Sequence, residues 1–575
     1  MEERRLLVAV ALSLLILTGY SLLFGPRSGP PSPEVSPAAP GSPAVAVEPT
    51  PASSSSAPEA AKEAPLASVG EEREPEETVA AVPSVMADQE TRVEVHGGTE
   101  TVAFTNRGAR LLSWTLTEYL DSRGRPEEMV PSATPGLRPL DFDTGDAAMD
   151  DRLREALFVP STENLVVDGR SPRTLTFRYA EGTLEAEKAF TFGEGGFVGV
   201  SMSVTSGGRD YPCRVVWGPG LGNPTEAERE VRGYKEPQGV ALVQGDVERV
   251  SPEDLGPTGK KLPSVRWVGV ESVYFAALMI PPEGLAAAEI RPVTQPVSAE
   301  EEPTVAAAAV VDGTGPSPIL LFVGAKDHQA LQKLGYGLEK VVPVGNWIGP
   351  IVVPLMRLLR WVHGLVGNWG WAIVILTVMI NMVMAPLRHY SIANGMKMAK
   401  MQPEMKVIQE RYRKVPMMDP RRQKMQEEMG ALYAKHGMSM GTQMLVGCLP
   451  LLLTMPFLFA FYRVLMISVE LRGAPFLWIP DLSQKDPLFL TPVAMGVSMY
   501  AMQKMTPSTL DPSQQRIMML MPVMLAGMFL WAPSGLNLYW LTANLWSLLQ
   551  QTVEMRILKP KEVAPPPKKK GRKKR

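Results

Sequence analysis

Five apolar runs dominate the last third of the chain: Trp369–Leu387, Met444–Ile467, Leu488–Met502, Ile517–Trp531 and Gly535–Gln551. Turn or helix-boundary signatures separate the last four, at Asp486-Pro487, Ser508 to Pro512 and Ala532-Pro533-Ser534-Gly535. A soluble protein can bury one helix of this apolarity. Five in one stretch predict a polytopic α-helical membrane domain. Three runs are short: at ~1.5 Å per residue, a run such as 517–531 reaches about 22 Å against a hydrocarbon core of ~30 Å. Local bilayer thinning or snorkelling flanks compensate a short span. Thinning would also lower the barrier to moving polar groups across.

Upstream the texture changes three times. Arg4 and Arg5 precede the apolar run Leu6–Phe24. It is long for a signal-peptide core, and Gly25-Pro26-Arg27 is a poor cleavage site, so residues 1–25 read as an uncleaved anchor with its N-terminus inside; a cleaved signal is the alternative. Residues 26–89 are Pro, Ala, Ser, Glu and Val without period, the composition of a disordered tether. From 90 to 334, short runs rich in Val, Thr, Phe, Tyr and Trp recur: Arg92–Val95, Thr101–Thr105, Leu111–Leu116, Thr174–Tyr179, Phe197–Val204, Arg214–Trp217, Val265–Met279 and Ile319–Val323. Punctuated by Gly, Pro, Asn and Asp, they predict a large all-β sandwich. Residues 345–368 follow as an amphipathic helix. Arg357, Arg360 and His363 share one side, and Trp347 and Trp361 suit the headgroup level, so it is expected to lie in the outer interface. The alternative buries it against the β domain.

Between the first and second of the five runs the chain is polar with a helical period. Over 388–443, eleven Lys or Arg face five acids, a balance of +6. Val415-Pro416 and Asp419-Pro420 divide the stretch, so 391–437 is expected to be a helical hairpin. Met396, Met398, Met401 and Met405 stud it beside Arg411, Arg413, Lys414, Arg421 and Arg422. A methionine-lined surface accepts varied apolar partners, whereas the plainer reading is core filler. The tail 559–575 carries nine basic residues and one acid. The positive-inside rule puts N-terminus, hairpin and tail in the cytoplasm. Six spans, anchor included, then leave the β domain outside.

The net charge of −2 hides this asymmetry. Cys213 and Cys448 fall on opposite sides of the membrane in this topology, so no disulfide is implied. His328 reads as a satisfied surface residue. There is no zinc motif, and Gly259-Lys260-Lys261 does not make a phosphate loop. Nothing matches a nucleophile elbow. No enzyme activity, cofactor or metal is expected. The spans hold no Asp or Glu, which weighs against ion-coupled transport. They hold neutral polar residues instead, including Thr377, Asn381, Asn537, Thr542 and Asn544. Thr377 and Asn381 are i,i+4, and Arg388 lies two turns further on nearly the same face. Such a stripe would admit water from the cytoplasm; helix–helix hydrogen bonding is the competing reading.

Several segments resemble the YidC/Oxa family of membrane protein insertases, in its Gram-negative form with a large β domain. They are Gly447–Pro456 (GCLPLLLTMP), Ser468–Pro475 (SVELRGAP), Trp478–Ser483 (WIPDLS), Asp486-Pro487, Gln503–Pro507 (QKMTP) and Leu530–Tyr539 (LWAPSGLNLY). The resemblance implies a five-helix core (369–558) plus an N-terminal anchor, and a β supersandwich of the sugar-mutarotase type with no enzymatic role. It implies a hydrophilic groove open to the cytoplasm and laterally to lipid. By position, Thr377, Trp540 and Met528 match groove residues, and Met455, Pro456 and Phe457 match the substrate-contacting helix. It also implies that the hairpin receives nascent membrane proteins. The tail, through Lys568, Lys569, Lys570, Arg572, Lys573, Lys574 and Arg575, would dock on the ribosome, whose RNA attracts basic charge. The Sec translocon (SecYEG with SecDF-type subunits) and the inner-membrane bilayer are the remaining implied partners. Two positions depart: Asn381 stands where the family commonly has Arg, and Trp540 where many relatives have Tyr. Arg388 is the candidate to supply the missing charge. A secondary transporter and an anchored sugar-binding β domain are alternatives. The first should show internal repeats, which are not seen; the second leaves the hairpin and tail unexplained.

Overall fold

The computed structural model describes residues 83–558 apart from 122, 132–135, 194, 225–228, 230–234, 283–284, 296–303, 314–316, 346, 413–414, 417–418, 437–454 and 506–511. The expected anchor, most of the tether, Arg413, Lys414, the stretch 444–454 and the basic tail lie outside the described residues, as does the Arg422 side chain.

Among the described residues, three sheets build the β domain. The largest runs in the order Asp246–Val250, Gln238–Val243, Trp267–Glu271, Phe275–Ile280, Ile319–Ala325, Val198–Ser206, Leu184–Phe192, Arg173–Glu181 and Val159–Pro160, with Arg209–Tyr211 on its flank. A five-stranded sheet and a four-stranded sheet complete the domain. Period-2 alternation decides which side chains go where. Phe275, Ala277 and Met279 point into the sandwich core with Phe104, Phe177 and Phe190. Ala276, Leu278 and Ile280, from the same strand, belong to a second buried cluster shared with the helical region. A strand covered on both faces reads as an unbroken apolar run.

That double burial explains one difference from the sequence reading. Val265–Met279 is not one strand but a hairpin, Trp267–Glu271 paired with Phe275–Ile280. Two further strands carry no simple signal. Thr304–Asp312 is alanine-rich, a composition that favours helix in isolation. Leu184–Phe192 alternates correctly except that Lys188 occupies an inward position. Lys188 is fully buried; its Nζ donates to the carbonyls of Leu140 (2.7 Å) and Ala109 (3.0 Å) and sits 4.2 Å from the centre of the Phe142 ring. His328 is also corrected: it is half-buried and its Nδ1 has no hydrogen-bond partner. Burial pushes its imidazole pKa below the ordinary value.

Nine helices accompany the sheets among the described residues: α1 (Ala147–Glu155), α2 (His328–Leu334), α3 (Gly349–Val366), α4 (Trp369–Arg411), α5 (Arg421–Lys435), α6 (Met455–Ile467), α7 (Leu490–Met505), α8 (Pro512–Met528) and α9 (Ser534–Leu558). The segment expected to lie in the interface forms α3. Its buried face (Val352, Leu355, Met356, Leu359 and Val362) joins the second cluster with sheet residues Val240, Leu242 and Trp267 and with Ile373 and Leu376 of α4. Its exposed side keeps Trp361 and Leu365. Burial against the β domain, the alternative reading of this segment, therefore describes its buried face. Within the described residues, one segment, Trp369–Met398, is long and apolar enough to cross a bilayer; Met455–Ile467 and Met518–Trp531 are apolar but shorter.

Span and hairpin are not separate elements. α4 continues without interruption through 388–391 to Arg411, and passes Pro386 and Pro403 on the way. The polar sequence after Leu387 is not a helix end. The run at 517–531 begins earlier, at Pro512, and closes with a 3-10 turn, Phe529–Trp531. The last run extends past Gln551 to Leu558.

Candidate functional site

α4 packs on α9, and α9 packs on α7. All three run the same way, from the end beside the loop 468–489 towards the hairpin. Their two ends differ in polarity. The loop end packs Ile373, Leu376, Phe476, Ile479, Leu482, Phe529, Leu536 and Leu538, all buried, around a few buried polar groups, Asp486, Thr491, Ser534 and Asn537. The hairpin end carries Ser498, Asn544, Ser547, Gln550 and Glu554 in a layer with Arg388 and His389.

The layer is knit across helices. Asn544 Nδ2 donates to Ser498 Oγ at 3.2 Å. The Arg388 guanidinium bonds Ser547 Oγ, whose own hydroxyl donates to the Ala543 carbonyl at 2.6 Å. Gln550 Nε2 donates to the Ala385 carbonyl (3.0 Å) and to Glu554 (2.7 Å). His389 Nδ1 lies 3.4 Å from Glu554. Buried polar groups need such partners. Glu554, Gln550, Ser547 and Ser498 were not singled out in the sequence, yet 544, 547, 550 and 554 recur at the three-to-four spacing of one helix face.

The expected groove residues fall into two groups. Thr377 is fully buried and its hydroxyl donates to the Ile373 carbonyl at 2.7 Å; Asn381 Nδ2 donates to the Thr377 carbonyl at 2.8 Å. Both spend a donor on their own helix. Arg388, seven residues on, reaches across to α9. Trp540 is half-buried and meets Phe529 edge-on, 4.8 Å between centres. Met455, Pro456 and Phe457 open α6 and are half-buried, and Met528 is exposed at the end of α8.

The hairpin methionines also divide. Met401 and Met405 are buried against Leu432 and Tyr433, with Met398 and Met429 packed beside them. In this structure these four side chains fill the small core of the hairpin. Met396 is half-buried and outside that cluster. Arg411 pairs with Glu428 at 2.9 Å and Arg421 with Asp419 at 2.7 Å, both exposed.

The loop 468–489 caps the opposite end. Phe476 and Ile479 exchange backbone hydrogen bonds (2.8 and 2.9 Å) around the two-residue turn Leu477-Trp478. Asp486 is fully buried and accepts from Trp478 Nε1 (3.1 Å), Leu488 N (3.0 Å), Thr491 N (2.7 Å) and Thr491 Oγ1 (2.8 Å). Ser534 Oγ donates to the Gln484 and Asp481 carbonyls. Arg472 pairs with Glu127 of the β domain, and Arg360 of α3 pairs with Glu470.

The family comparisons also divide the chain in two. The family model described as YidC periplasmic domain matches residues 92–358, and the model described as 60Kd inner membrane protein matches 361–562. The membrane protein insertase YidC of Geobacter metallireducens is 32% identical over 568 residues, covering 96% of this chain and 98% of that protein. Its counterpart in Syntrophus aciditrophicus is 31% identical over 590 residues, with 96% and 98% covered. A crystal structure of an active YidC insertase is 19% identical and covers 83% of this chain and 95% of its own, at a TM-score of 0.34. The chain belongs to the YidC family of membrane protein insertases, inner-membrane proteins with a periplasmic domain.

Proposed function

We infer that this chain inserts hydrophobic segments of nascent membrane proteins into the bacterial inner membrane. The observation that carries the reading is the polarity gradient along α4, α7 and α9, in a chain whose insertase relatives match it nearly end to end. At the hairpin end polar side chains hydrogen-bond from helix to helix, whereas at the loop end the buried polar groups Asp486, Thr491 and Ser534 are spent on holding the loop. A segment arriving from the cytoplasm would find its polar flank partnered in that layer, while its apolar part leaves sideways along α6 and α8 into lipid. Burying about 20 apolar residues drives the transfer, so no nucleotide is needed.

In this reading five spans (α4, α6, α7, α8 and α9) join the N-terminal anchor, with hairpin and both termini cytoplasmic. Three sheets enclosing one apolar core support the supersandwich assignment of the β domain. The ribosome at the basic tail and the Sec translocon beside the core belong to the same proposal. Short α7 and α8 favour a locally thinned bilayer.

Photocrosslinking probes at Met455 and, separately, Asn381 test the path with ribosome-stalled nascent chains of a small membrane protein. The expected result is adducts that appear at one chain length and fade as the segment lengthens. No adduct at either position, with normal expression and folding, would sink the groove reading in favour of a transporter.

Arg388 replaces, in this proposal, the charge that Asn381 lacks. Its guanidinium is held by Ser547 within the polar layer. Arg388→Ala is expected to slow insertion of a substrate with an acidic flank several-fold and to leave a neutral-flanked substrate little changed. Equal rates for both substrates, unchanged from the parent, would show that the charge is dispensable.

A further inference from the structure

The tryptophans sort by environment. Trp114, Trp217 and Trp267 of the β domain are fully buried. Trp347, Trp361, Trp371, Trp478 and Trp531 are exposed. Trp347 immediately precedes α3 and Trp361 lies within it; the other three lie at the loop ends of α4, α7 and α8. Tryptophan at one level of a helical bundle marks a membrane–water boundary.

The loop 468–489 projects two apolar points at that level. Leu477 is 70% exposed at the tip of its two-residue turn, and Leu488 (58%) and Phe489 (40%) are exposed just before α7. Leu477 has φ 53° and Phe489 φ 54°. A left-handed backbone normally falls to Gly or Asn, since Cβ crowds the carbonyl. Here each such position carries a large apolar side chain facing outward. The backbone is fixed from behind: Asp486 binds the Trp478 indole on one side and Leu488 and Thr491 on the other, so one buried carboxylate locks both points together. Neither Phe476–Pro480 nor Pro487–Leu490 contains a charged residue.

We propose that Leu477, Leu488 and Phe489 form a rigid wedge inserted among the lipid chains of the outer leaflet. Lipid is the occupant because the points are continuous with apolar helices. Phe476, beside Leu477, packs edge-on against Trp371 at 5.4 Å, near the start of the span α4, and Phe489 adjoins the first residue of α7. At 16 residues, α7 is about 24 Å long. The wedge extends its lipid contact at the end where it is short.

The proposal rests on the membrane topology inferred above, and the test separates the two. Nitroxides are attached at Leu477→Cys and Phe489→Cys in the full chain carrying Cys448→Ser; Cys213 is buried and stays. The protein is reconstituted in phosphatidylethanolamine–phosphatidylglycerol vesicles, and relaxation by oxygen is compared with relaxation by a water-soluble nickel chelate. Val383→Cys on exposed α4 and Val166→Cys on the exposed β domain serve as references. The wedge labels are expected to favour oxygen several-fold, as Val383 does. Nickel access equal to that at Val166 would place the loop in water and overturn the proposal. Shielding from both reagents would mean a protein surface, such as a second copy, covers it, and would overturn it too. Nickel access at Val383 as well would bring down the topology itself.

Discussion

Glu271→Ala is expected to destabilise the β domain by about 3–5 kcal/mol, the range for stripping one partner from a buried ion pair. Glu271 is 2% exposed and bridges Arg249 (2.6 Å) and Lys326 (3.0 Å), and Lys326 is itself 4% exposed. Burial alone would raise the Glu271 carboxyl; the Lys326 ammonium and the Arg249 guanidinium overcome it and hold the group below the usual carboxylate range. Its contribution is therefore present above the unfolded-state value near ~4 and fades as pH falls through the lower folded value. Without the carboxylate, Lys326 keeps its desolvation and loses its counter-charge. Thermal unfolding of the purified protein, followed by Trp fluorescence, measures the loss. Because the penalty comes from the orphaned charge, Glu271→Leu with Lys326→Met should recover most of it. A double variant as unstable as the single one would show that the damage lies in shape and not in charge. The pair lies on the sheet beneath the helical region, where Arg249 also donates to the Val341 carbonyl. The loss should therefore loosen the packing of the β domain on α3.

Gly370→Ala is the second large effect. A methyl in a helix usually stabilises relative to glycine, by up to ~1 kcal/mol. Here an added Cβ would lie 2.1 Å from Cγ and Cδ2 of Phe476 and 2.6 Å from its Cβ. Overpacking of that kind costs about 1–3 kcal/mol, so the clash wins. The change should push Phe476 outward and release the loop cap from α4. Trypsin cleavage at Arg472 or Lys485 is the readout: faster cutting in Gly370→Ala, restored protection in Gly370→Ala with Phe476→Ala. Unchanged cutting in the single variant would mean the loop is held by Asp486 and Ser534 alone.

How much of this was readable beforehand follows from where side chains face. The apolar runs of the C-terminal third announced the helices because each is continuous over several helical turns and the last four are set apart by Pro- or Gly-containing boundaries. Strands with a simple alternation, such as Arg92–His96, were equally visible. Leu184–Phe192 was not, because Lys188 breaks the alternation; only the fold reveals the carbonyls that partner it. Val265–Met279 concealed a turn because both of its strands are covered on both faces. In the candidate site, Thr377, Asn381 and Arg388 stood out as polar residues in an apolar field. Glu554 did not, since the last helix was drawn to stop at Gln551, about two turns too early. The fate of Met401 and Met405 was undecidable from composition, since methionine suits both a sticky surface and a packed interior.

α4 spans 43 residues, about 64 Å at the usual rise, and reaches from the loop cap to the hairpin tip. It is one shaft with two working ends. Pro386 lacks an N–H to close its helical hydrogen bond, so bending stiffness drops there. Gln550 of α9 grips the neighbouring Ala385 carbonyl at 3.0 Å. A bend at Pro386 would therefore fall at the polar layer, where α9 already holds α4.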